Sequence, residues 1–162
     1  MLRESVSNNF LDALFGRVGA ATIGLNGTCY AGLGLASSVP SMNNSGEITG
    51  FSEPVGNNYA RVRLGISGQP DTYMMSSADN AAIRNHEKEI HFHECLGEAW
   101  GEIAYIGLFS AETGGNPIMV GPVVNAQGEP ATVTVSVNQI PLFRVDQLTA
   151  EITSDAFTVT EE

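Results

Sequence analysis

Trp100-Gly101-Glu102-Ile103-Ala104-Tyr105-Ile106-Gly107-Leu108-Phe109-Ser110-Ala111-Glu112-Thr113-Gly114-Gly115-Asn116-Pro117-Ile118 reads as a strand, a tight glycine turn and a second strand. Apolar residues fill both alternation sets: Ile103, Tyr105 and Phe109 on one side, Ala104, Ile106 and Leu108 on the other. A strand that is apolar on both faces is a central strand covered on both sides. Gly114-Gly115 can take the positive φ angles that a hairpin turn requires. This stretch predicts an all-β core.

Outward from it the same grammar repeats. Thr28 to Ala36 reads as a strand, with Tyr30, Leu33 and Leu35 among small residues. Tyr59 to Ile66 alternates Ala60, Val62, Leu64 and Ile66 against Tyr59, Arg61 and Arg63. Glu89 to Glu94 is a short strand, Ile90 and Phe92 inward and His91 and His93 outward. Further strands fall near Asn116 to Val123, Ala131 to Val137, Phe143 to Ile152 and Asp155 to Thr160. Ser37 to Asn58 is a long Ser/Asn/Gly loop, the kind that carries function or is shaped by a partner. Residues 68–86 read as irregular. Residues 8–16 form the one expected helix: an Asn cap, an apolar face of Phe10, Leu11 and Leu14, and Gly16 to end it. The expected fold is an all-β antiparallel sandwich, jelly-roll-like, with one short N-terminal helix. Residues 1–27 are an N-terminal helix and small-residue arm, and residues 28–162 the β-sandwich domain. No internal repeat is evident.

Composition narrows the function. The chain has 162 residues and a net charge of −11, from seven Lys and Arg against eighteen Asp and Glu. There is no basic cluster, so neither nucleic-acid phosphates nor an anionic membrane are expected partners. Charged residues make up only 15%, against roughly 25% in an average domain. A weakly charged surface rich in small polar residues suits a subunit that packs against neighbours. No apolar run reaches the roughly 20 residues of a membrane span. The N-terminus mixes Arg3, Glu4 and Asp12 with no clean apolar stretch, so no signal peptide is expected. Cys29 and Cys95 read as buried thiols, because a core of this size does not need a disulfide.

The sharpest chemical pattern is His86, His91-Phe92-His93-Glu94 and Glu98. Residues two apart on a strand point the same way, so His91 and His93 can ligate one metal. With Glu98 the spacing resembles the first metal motif of cupin jelly rolls. The glycine that motif places six residues before the pair is Asn85 here, and no histidine follows His93 to supply the second motif. In a trimer the same strand, placed beside the three-fold axis, would supply six nitrogens to a divalent ion. Otherwise no cofactor and no catalytic residue is expected. Trp100 reads as a packing residue. Phe10, Leu11, Leu14 and Phe15 of the helix, and an outward pair Arg61 and Arg63, are the expected partner contacts. Salt bridging to the chain's many carboxylates is the plain reading of the two arginines, and an inter-subunit contact the functional one.

Four segments taken in order carry a family resemblance: Tyr30-Ala31-Gly32-Leu33, Glu53-Pro54-Val55-Gly56-Asn57-Asn58-Tyr59-Ala60-Arg61, Ile90-His91-Phe92 and Trp100 to Asn116. The chain resembles small structural proteins of tailed bacteriophages, commonly labelled tail fibre proteins, from about residue 8 to residue 153. The resemblance implies a non-enzymatic virion structural protein, assembled in the host cytoplasm. It would be a β-sandwich subunit on the capsid or tail surface, for decoration or as part of a fibre. The implied partners are other virion proteins, the major capsid or tail proteins, together with further copies of the chain, a homotrimer being expected. The alternatives are a receptor- or carbohydrate-binding module of a tail fibre, on exposed aromatics such as Tyr73, Trp100 or Tyr105, and, more remotely, a metal-dependent cupin-like enzyme on His91, His93 and Glu98.

Overall fold

A computed structural model describes residues 29–65, 75–76, 82–85 and 88–151. The expected helix, the arm 1–27 and the strand Asp155 to Thr160 lie outside them. In chain order the strands are β1 (Cys29–Leu35), β2 (Ser41–Met42), β3 (Ile48–Thr49), β4 (Val62–Gly65), β5 (Met75–Ser76) and β6 (Ala82–Arg84), then β7 (Ile90–His91), β8 (Gly101–Phe109), β9 (Met119–Pro122), β10 (Val133–Val135), β11 (Leu142–Phe143) and β12 (Thr149–Glu151). Among the described residues the protein is all-β, and its paired strands run antiparallel.

The described residues fall into two compact units that interleave along the chain. One comprises Cys29–Arg63 and His91–Leu142; the other is drawn from Leu64–Ile90 and Phe143–Glu162. The first carries the main-sheet strands β10, β8 and β1, in that order, with β9 also paired to β8. The expectation for β8 holds. β1 pairs along it from Phe109 to Ile103, while the opposite edge is shared between β10, opposite Gly101 to Ile103, and β9, opposite Tyr105 to Leu108. One detail departs from simple alternation. Gly34 sits opposite Tyr105 but Leu35 opposite Ile103, so Ala104 is an extra residue in β8. Such a bulge shifts the alternation by one position.

The glycines of β1 and β8 shape one face of this sheet. Gly32 lies opposite Gly107, and Gly34 opposite Tyr105. A Cβ on Gly32 would come within 2.9 Å of the Phe109 ring, and one on Gly107 within 2.8 Å of the Phe51 ring. The missing side chains leave a floor on which Phe51 and Phe109 meet edge to face, centroids 5.5 Å apart. The other face holds the buried Ala31, Leu33 and Leu108.

The stretch read as the long loop Ser37 to Asn58 contains the β2–β3 hairpin. Its turn is Asn43-Asn44-Ser45-Gly46-Glu47. The Asn43 Oδ1 accepts from the Ser45 and Glu47 amides, and the Asn43 amide donates to the Glu47 carbonyl at 2.9 Å. Asn125-Ala126-Gln127-Gly128-Glu129 makes the same set of bonds, the Asn125 Oδ1 accepting from Gln127 and Glu129. This five-residue N-x-x-G-E device is a small repeat that composition hides, because only its first, fourth and fifth residues are shared.

In the other unit β5, β6 and β12 form a three-stranded sheet. The strand expected over Phe143 to Ile152 is broken there by a turn in which Asp146 takes φ 63°. Asn85 fastens that turn. Wholly buried, its Nδ2 donates to the Lys88 and Arg144 carbonyls and its Oδ1 accepts from the Leu148 amide. The residues 68–86, read as irregular, contribute β5 and β6.

Candidate functional site

The segment Gly50 to Arg61 places Glu53, Tyr59 and Arg61 above the glycine floor. Arg61 is the hub. Its Nε and Nη2 both donate to the Glu53 carboxylate, the shortest contact being 2.6 Å. Its Nη1 donates to the carbonyls of Ala111 at 2.7 Å and Gly114 at 2.8 Å. The guanidinium carbon sits 3.4 Å above the centre of the Phe109 ring. Carboxylate fork, carbonyl pair and aromatic face engage four of the five N–H donors and one face of the planar group, which a lysine could not do.

Tyr59 completes the cluster. Its hydroxyl donates to Glu53 Oε1 at 2.7 Å and accepts from the Leu33 amide at 2.8 Å. Burial, then the Glu53 carboxylate that it faces, push the phenol pKa well above its ordinary value. Its ring stands at 89° to Trp100, whose indole N–H donates to the Asn57 carbonyl at 2.9 Å. The hydroxyl-to-carboxylate bond that crosses Gly32 is why that position carries no side chain: a Cβ would lie 2.6 Å from Glu53 Oε1.

Arg61 and Arg63 therefore part company. Arg63 is exposed, whereas Arg61 is buried, its side chain only 4% accessible. The expectation of an outward pair is corrected for Arg61. Alternation assigned it a face, but β4 starts only at Val62, and the residues before it turn onto the sheet. The carboxylate pairing anticipated for the arginines is made by Arg61, inside the unit. Phe10, Leu11, Leu14 and Phe15 lie outside the described residues. Ile90 and Phe92 are buried and His91 and His93 exposed, as the alternation predicted. Glu98 is exposed, and among the described residues no three His, Cys, Asp or Glu side chains converge as a metal set. Cys29 and Cys95 are buried thiols with no disulfide between them. Trp100 is 5% exposed and packs as expected.

The Arg61 cluster joins the two longest segments that carried the resemblance. Glu53, Tyr59 and Arg61 belong to one, and Trp100, Phe109, Ala111 and Gly114 to the other. The family model for Podophage GP4 fiber I protein gp80 matches residues 2–150. The chain belongs to this phage tail fibre-type family. No curated protein sequence matches it. In this gp80-family chain the paired segments close a packed core, and what they present outward is the loop Ser110 to Asn116. That loop is exposed throughout and is held from beneath through the Ala111 and Gly114 carbonyls. Gly114 and Gly115, at φ 66° and 70°, make the turn read from the sequence. Glu53 was the member sequence reasoning missed. Its signal was the E-P-x-G-x-x-Y-A-R spacing, read as a family mark and not as an ion pair.

Proposed function

We propose that the chain is a non-enzymatic structural protein of a tailed-phage virion, acting through protein–protein contacts as a fibre-type or decoration subunit on the tail or capsid surface. Copies of it associate with one another and with other virion proteins. The observation that carries this reading is the Arg61 cluster. The residues that carry the resemblance are consumed in fixing a loop to a sheet, which is the work of a shape-bearing module. Antibodies raised against the purified chain and visualised by immunogold on intact virions test it. Label at the tail is expected for a fibre-type subunit, and label over the head for decoration. Virions that carry no label would sink the reading.

A receptor-binding role is the second reading, favoured by one feature. Tyr105, half-exposed, lines an open groove of about 300 Å³ between the β2–β3 hairpin and β9, with Met42, Ile48 and Pro122. Binding to a glycan array that Tyr105→Ala abolishes would favour it over assembly alone. His91 and His93 are the pair a divalent ion at a subunit axis would use, and a fall in particle mass on adding a chelator would reveal it.

A further inference from the structure

We infer that the uncharged strip from Pro130 to Leu142 is a contact between two copies of this chain, made by antiparallel pairing of β10 with its symmetry mate. The inference rests on the structural-protein reading and adds the surface and its geometry.

The hydrogen-bond phase of the sheet sets which groups face outward. The Glu102 carbonyl accepts from the Ala36 amide, so the main-chain groups of Glu102 face β1. Those of Gly101 and Ile103 then face β10, where their partners are Val135 and Val133. Ala131 also turns inward, donating to the Val123 carbonyl. By alternation the main-chain N–H and C=O of Thr132 and Thr134 point out of the sheet. The ladder stops at Ser136, whose amide is taken by the Gln139 side chain and whose carbonyl accepts from the Gln139 amide.

This short edge is self-complementary. With Val133 opposite Val133 of a second copy, each Thr132 faces a Thr134 and the two exchange both of their N–H···O bonds. Thr134 is exposed, and Val133, Val137, Ile140 and Leu142 along the strip are between 39% and 51% exposed. An edge of this composition carries no lysine and no inward charge to oppose pairing.

Charge selects the same place. In this unit Glu47, Glu94, Glu98, Glu102, Glu112 and Glu129 are exposed, and Arg63 is the exposed arginine. Two acidic copies repel wherever these carboxylates meet. From Pro130 to Phe143 the chain carries no charge at all. A two-fold contact of this kind pairs single chains or joins two rings, so the assembly mass is an even multiple of 17.1 kDa.

Light scattering on the full chain tests this. The wild type should show an even multiple of the chain mass. Val133→Lys, which sets like charges directly opposite each other, should halve it with the melting temperature kept. Val39→Lys, 71% exposed and off the strip, should leave the mass unchanged. Amide hydrogen exchange on the wild type needs no variant, and exchange at Thr134 should slow as concentration rises. A monomer at every concentration, an odd multiple, a mass indifferent to Val133→Lys or a Thr134 amide indifferent to concentration would each overturn the contact. Immunogold labelling separates the two ideas. A monomer that still labels virions removes this contact and leaves the structural reading, whereas a pair found nowhere on the virion does the reverse.

Discussion

At the scale of single residues, Arg61 concentrates the largest energetic risk. Removing its head leaves Glu53 partly buried without its cation and leaves two loop carbonyls without donors. Breaking a buried pair in this way costs about 3–5 kcal/mol. Arg61→Ala should therefore lower the melting temperature by roughly 6–20 °C for a chain of this size. Arg61→Lys should recover less than half of that, since an ammonium cannot span carboxylate and carbonyls together. Hydrogen exchange across Ser110 to Asn116 should speed up in both variants, and an unchanged loop would remove Arg61 from its role as anchor. Tyr59 gives a pH signature. Its raised pKa means that the folded state keeps the phenol proton, while an unfolded tyrosine loses its proton near pH 10. The contribution is whole below about pH 10 and is lost above it, by up to ~1.4 kcal/mol per pH unit. Urea midpoints measured from about pH 8 to about pH 11 should fall on the alkaline side. Tyr59→Phe, weaker at neutral pH for want of its two hydrogen bonds, should flatten that limb. The types of these residues were plain in the sequence. Their partnership was not, because eight positions separate Glu53 from Arg61 and only the path of the intervening chain over the sheet brings them together.

At the scale of elements, β8 was legible because its two apolar faces and its glycine turn are local properties. The bulge at Ala104 was not, since it exists only in the register against β1. The glycine floor was hidden for a similar reason: Gly32 and Gly107 are far apart in sequence and become one feature only when paired. A clear outcome follows for Gly107→Ala. The new methyl would lie 2.8 Å from Phe51 Cζ and 2.9 Å from Phe109 Cε2, so both rings must move, and Phe109 lies under Arg61. Overpacking of this kind costs about 1–3 kcal/mol. Phe51→Leu, mildly destabilising alone, should restore part of the loss when combined with Gly107→Ala. Strictly additive denaturation midpoints would show that the close approach is not what the glycine provides. The N-x-x-G-E turns teach the complementary lesson. Their Asn and Gly are plain in the sequence, but the shared device rests on side-chain bonds from Asn43 and Asn125 that sequence spacing does not display.

At the scale of the whole molecule, the all-β class followed from periodicity, while the interleaving of two units did not. Chain crossings at Arg63–Leu64, Ile90–His91 and Leu142–Phe143 fall within or between short strands whose composition does not change. Net charge, in contrast, is a whole-molecule property read directly from the sequence, and it makes the last prediction. A chain of charge −11 repels its copies at long range. If copies meet along the neutral strip beside β10, no attractive ion pair crosses the contact. Salt then acts only on the repulsion, over a Debye length that shrinks from roughly 20 Å at about 20 mM to roughly 6 Å at about 300 mM. Self-association should therefore strengthen as sodium chloride rises across that range, read as a falling dissociation constant in sedimentation or light scattering. A contact built on Arg63 against the exposed glutamates would respond with the opposite sign. The direction of the salt effect thus decides between a neutral strand edge and an ion-paired face as the surface through which the subunits meet.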